Sequence, residues 1–156
     1  MTISPIIADG AHTYRRKARV AAVQVLYELD GARHDAVRAL GNRLADETTS
    51  NTSESYAREL LDGVLANRAE IDSTIAKHAP AWPIEQLAVV DRNILRVAVY
   101  EMTVARKTPP KVAVNEAVEM GKVFGGDSSP RFINGVLGSV IDGMDPHEGH
   151  VAEMEE

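Results

Sequence analysis

From Thr13 onward Ala18, Ala22, Val25 and Leu29 recur at helical spacing, one face of a helix that reaches about Asp30 before Gly31 stops it. Ahead of it MTISPIIADGA lacks sustained periodicity and holds Pro5 and Gly10, so residues 1–12 are expected to form a flexible arm. Ala36, Val37, Leu40 and Leu44 mark a second helix, and the polar run DETTSNTS then supplies a loop with Thr52 or Ser53 as a cap. Tyr56, Leu60, Val64, Ile71 and Ile75 keep one phase, which predicts a long third helix ended by Ala79-Pro80.

In the next segment Leu87, Val90, Ile94, Leu95, Val97, Ala98 and Met102 spread over too wide a surface for a one-sided helix, which predicts a central buried one. Thr108-Pro109-Pro110 breaks the chain. Val114, Ala117, Gly121 and Phe124 then form a helical face that ends at Gly125-Gly126. A last helix is expected from Ser128-Ser129-Pro130, with a serine cap, proline in the first turn, and Phe132, Val136, Val140 and Ile141 on its apolar side. No hairpin or βαβ pattern competes. The expected fold is all-α, a compact bundle of about six to seven helices over residues 13–144. The closing DPHEGHVAEMEE, residues 145–156, reads as a disordered acidic tail.

Composition narrows the functional classes. With only seven aromatic residues among 156, the core must be built from Ala, Val, Leu and Ile. Absence of cysteine excludes disulfides, thiolate metal sites and cysteine nucleophiles, and fits a reducing, cytoplasmic setting. No apolar run reaches signal-peptide or membrane-span length, so no membrane role is expected. The net charge of −6 argues against nucleic acid only until its distribution is seen: removing the five acidic residues of the tail leaves −1, while Arg15, Arg16, Lys17 and Arg19 crowd four cations into five positions.

On an ideal helix Arg16, Val20, Val23 and Tyr27 form one stripe, with Gln24 beside it and Arg15 and Arg19 between the stripe and the apolar face. Guanidinium groups there can neutralise phosphates and Tyr27 can stack a base, although the same residues also describe a solvated helix. The two valines raise a second possibility, a homodimer through this stripe. In GGDSSPRF a Gly-Gly turn, Ser128, Ser129, a helix N-terminus, Arg131 and Phe132 suit a phosphate, or an ordinary capped helix. Catalytic patterns are weak. Glu116 and Glu119 lack the His of a di-iron motif, His147 and His150 lie in the tail, and His12, His34 and His78 are isolated. No nucleophile elbow, P-loop or dinucleotide fingerprint occurs, so no enzyme activity, metal or cofactor is expected.

Five blocks in order, RRKARVAAVQVLYELD, YARELLDGVLANRAEID, VDRNILRVAVYEM, VAVNEAVEMGKVFG and RFINGVLGSVID, resemble the NusB family of transcription antitermination factors across about residues 13–142. That resemblance implies two small helical sub-bundles and recognition of boxA RNA from ribosomal RNA operons, together with the ribosomal protein NusE, in a transcription elongation complex. It implies RNA contacts at Arg15, Arg16, Lys17, Arg19, Gln24, Tyr27, Ser128, Ser129, Arg131 and Phe132. Asp91 sits where the family has an acidic residue near the partner surface. Pro130 departs from a position that is often polar in the family and removes a side chain from the RNA side. Alternatives are an RNA-binding accessory domain like the N-terminal region of ribosomal RNA cytosine methyltransferases, or a self-associating helical scaffold.

Overall fold

A computed structural model describes residues 10–32 and 51–144. These fall into two compact units divided between Asp62 and Gly63, inside a helix. Among the described residues every regular element is helical, in agreement with the all-α expectation. Residues 1–9 of the expected arm, the second helix at 36–44 and the tail at 145–156 lie outside the described residues.

In the first unit α1 spans Gly10–Ala32, starting three residues ahead of the predicted Thr13. Its buried positions are wider than the predicted face: Ala18, Ala22 and Val25 are fully buried, and Val20, Ala21, Val23 and Leu26 nearly so. Helix α2 is Asn51–Ala66. Its start at Asn51 places Thr52 and Ser53 inside the first turn, and Ser53 is no cap. Its buried Oγ donates instead to the Tyr14 carbonyl at 3.1 Å, joining α2 to α1. Ala57, Leu60 and Leu61 are buried, and each leucine contributes roughly 2 kcal/mol by leaving water.

The second unit contains α3 (Arg68–His78), a 3-10 turn at Ile84–Gln86, α4 (Val89–Val99), a π turn at Tyr100–Ala105, α5 (Pro110–Phe124) and α6 (Ser129–Asp142). The single long helix expected from Tyr56 to Ile75 is two, because Asn67 interrupts it. Asn67 has φ −117° and ψ 22°, and its Nδ2 donates to the Gly63 carbonyl at 2.8 Å, competing with regular helix bonding while Ile71 and Ile75 stay in phase and buried. The central helix is also shorter than predicted. Leu87 is extended, and Arg92 holds the 3-10 turn by donating to the carbonyls of Ile84 (3.5 Å) and Glu85 (3.3 Å).

Helix α4 is the core of this unit, buried without interruption from Asn93 to Tyr100 and packed against α3, α5 and α6. Such a wide buried surface takes polar groups inside, and Asn93, Arg96 and Glu101 among them are paired. Arg96 binds Asp72 in a fork, Nε to Oδ1 at 2.8 Å and Nη2 to Oδ2 at 3.0 Å, while Nη1 donates to Asn93 Oδ1 at 2.9 Å. Buried Glu101 accepts from Thr108 Oγ1 at 3.0 Å. Two glycines permit close approach. A Cβ on Gly63 would collide with the Tyr100 ring, and one on Gly121 would lie 2.9 Å from Ile133 Cδ1 across the α5–α6 contact.

Candidate nucleic-acid interface

The basic start of α1 is organised by aromatic rings. Arg15 and Arg19, four residues apart, both place a guanidinium carbon 5.9 Å from the centre of the Tyr56 ring on α2, and Arg15 lies 5.7 Å from that of Tyr14. Arg15 Nε also donates to the Tyr14 hydroxyl oxygen at 3.3 Å. Their burial differs sharply. Arg15 is exposed, Arg16 and Lys17 are half-buried, and Arg19 is only 4% exposed beside the ring face. Three cations therefore face solvent to some degree, and the fourth supports the helix from inside.

Further along α1, Tyr27 is 52% exposed and presents a ring to solvent. Gln24, one turn before it, is half-buried, and its Oε1 is buried with no hydrogen-bond partner. Val20 and Val23, by contrast, are 8% and 2% exposed. They belong to the core and supply no apolar stripe for the possible homodimer: α1 buries more of its circumference than the spacing of Ala18, Ala22, Val25 and Leu29 announces.

The loop between α5 and α6 is closed by backbone bonds. Gly125 N–H donates to the Gly121 carbonyl at 3.0 Å, and Ser129 N–H to that of Gly126 at 3.1 Å. Ser128 occupies the cap position without a side-chain capping bond; Ser129 Oγ instead accepts from Gly126 N–H at 3.0 Å and is buried. The predicted capping serine thus acts as a loop clamp, because its neighbour's side chain faces outward. A Cβ on Gly125 would collide with the Ser129 side chain and lie 2.8 Å from the Gly121 carbonyl oxygen. The exposed groups are Ser128 and Arg131, with Phe132 half-buried and Pro130 half-buried in the first turn. Asp127, four residues before Arg131, is also exposed.

The sequence profile of the NusB family matches residues 16–142. The chain belongs to the NusB family. It is 43% identical over 129 residues to the transcription antitermination protein NusB of Chloroflexus aggregans, covering 81% of this chain and 86% of the relative. The NusB of Dehalococcoides mccartyi is 45% identical over 128 residues, covering 82% and 90%. Among solved structures, T. maritima NusB superposes with a TM-score of 0.80 at 33% identity, over 87% of this chain and 96% of that one. Another, from a crystal structure of antitermination factors NusB and NusE in complex with double-stranded RNA, gives 0.78 at 28% identity over 85% and 98%.

Within this NusB-family chain the acidic residue Asp91 lies in the first turn of α4, 8% exposed, with Oδ1 buried and without a hydrogen-bond partner. A buried, unpaired acceptor is costly, on the order of 1–3 kcal/mol. Sequence reasoning missed Tyr14 and Tyr56 as parts of the basic patch. The signal for Tyr14 was available, since it precedes Arg15 directly; Tyr56 is 41 residues beyond Arg15 and was legible only as an apolar helix position. Among the described residues no group of three or more His, Asp or Glu is placed to hold a metal, and no helix is long and apolar enough to cross a membrane. His78 makes a structural contact, Nδ1 to Ser139 Oγ at 2.8 Å, while His34, His147 and His150 lie outside the described residues.

Proposed function

We propose that this chain is a cytoplasmic transcription antitermination factor that binds boxA-type RNA of ribosomal RNA operons with the ribosomal protein NusE, and that it performs no catalysis of its own. Membership of the NusB family supports this reading, as does a relative solved with NusE and double-stranded RNA. The observation that carries it at residue level is the exposed ring of Tyr27 on the helix that bears the basic cluster. Arg15, Arg16 and Lys17 neutralise phosphates, and Tyr27 stacks a base with Gln24 beside it.

At α6, Ser128 and Arg131 meet a phosphate and Phe132 borders the bases, whereas buried Ser129 shapes the loop and buried Arg19 holds the α1 patch in place. Asp91, at the start of α4, marks the side of that helix for NusE. The test is titration of boxA-like and scrambled RNA of equal length, each with and without NusE, at several salt concentrations. A preference for boxA that NusE strengthens is expected. Equal affinity for both RNAs under all conditions would overturn the reading.

A further inference from the structure

The loop that joins the π turn to α5 is a second cationic surface. From Met102 to Asn115 the chain carries Arg106, Lys107 and Lys111 and no acidic residue, against a net charge of −6 for the whole. All three cations are exposed, while the loop between them is anchored: Thr108, Pro109 and Pro110 are buried.

Arg106 is also the only residue other than glycine with a positive φ among the described residues, φ 55° and ψ 28°. A left-handed conformation is unfavourable for a side-chain-bearing residue, and here it is fixed by Arg106 N–H donating to the Glu101 carbonyl and Arg106 Nε to the Thr103 carbonyl, both at 3.0 Å. The buried Thr108, Pro109 and Pro110 and these two hydrogen bonds hold the backbone that carries the cationic side chains.

Resting on the RNA-binding reading above, we propose that Arg106, Lys107 and Lys111 form an auxiliary site for the phosphate backbone of RNA flanking the recognised segment. The loop offers charge with no exposed aromatic ring or large apolar side chain, which suits sequence-independent phosphate contact; a protein partner would require an apolar centre. Helix α5, 15 residues and therefore about 22 Å long, separates this loop from Gly125 at its other end. A short RNA bound near α6 would leave the loop vacant, and a longer one can reach it.

The experiment compares wild type with the Lys107→Ala/Lys111→Ala variant in the full chain. The probes are a short RNA carrying only a boxA-like segment and the same segment extended on both sides by unstructured nucleotides. Wild type should bind the extended RNA more tightly, and the variant should lose about tenfold on it at moderate salt, with the salt slope reduced by roughly 1.4, while short-RNA affinity and boxA preference stay the same. Lys107→Arg/Lys111→Arg should retain the wild-type gain.

No gain from extension in wild type, or an unaltered gain in the alanine variant, overturns the auxiliary site while leaving boxA recognition intact. Loss of NusE affinity with unchanged RNA affinity would assign the loop to an acidic protein surface instead and equally overturn it. Absence of boxA preference in wild type on the short RNA would be failure of the underlying reading, separable because it does not involve the loop.

Discussion

The two candidate RNA patches are built on different principles. On α1 the chemistry stands on an uninterrupted helix, and its arrangement comes from side chains: Arg15 and Arg19 share the Tyr56 ring, Arg19 buried and Arg15 exposed. At α6 the chemistry stands on a loop whose shape comes from backbone closure, through Gly125, Gly126 and the Ser129 hydroxyl. The helical patch should tolerate loss of a charge and suffer in affinity, whereas the loop patch should suffer in stability as soon as its backbone is disturbed.

The sharpest way to break this contrast is Gly125→Val. Its Cβ meets the Ser129 side chain and the Gly121 carbonyl, so we expect a loss of about 2–3 kcal/mol in denaturant unfolding together with weaker RNA binding. Wild-type stability would mean that the loop is soft and the comparison misconceived. Arg19→Ala comes next, with an expected cost of about 1–2 kcal/mol from the vacated Tyr56 face and only a secondary fall in RNA affinity, measured by parallel melts and titrations. A pure loss of affinity at unchanged stability would move Arg19 to the RNA side.

Ser129→Ala strips the acceptor from Gly126 N–H and should cost about 1 kcal/mol, with boxA preference reduced because Ser128 and Arg131 lose their fixed setting. Arg16→Ala and Tyr27→Ala should scarcely change stability. They differ in what they remove from binding: loss of Arg16 should lower the salt slope by roughly 0.7 for any RNA, whereas loss of the Tyr27 ring should reduce the preference for boxA over scrambled sequence at constant slope. Identical profiles for these two variants would show that Tyr27 reads no base.

Residue periodicity located most helix bodies, since apolar spacing reports which face leaves water. Ile71 and Ile75, predicted from phase, are buried, and the too-wide apolar surface of the Ile94–Met102 stretch is the buried centre of its unit. It failed where a single side chain outweighs the pattern, as when Asn67 bonds the Gly63 carbonyl and divides one predicted helix into two. The candidate site was legible in residue type and only partly in exposure: Tyr27 and Arg131 face solvent as expected, but Arg19, Ser129, Val20 and Val23 are inside.

By itself the sequence determined the all-α class, the order of the described helices and the cationic character of the start of α1, because each is a local property of spacing or composition. Only the tertiary structure decided which arginine is solvent-facing and which is packed. Whether a guanidinium meets water, the Tyr56 ring or the Asp72 carboxylate depends on a residue 37 to 41 positions distant for the ring and 24 for the carboxylate, and no local pattern encodes a partner supplied by another helix.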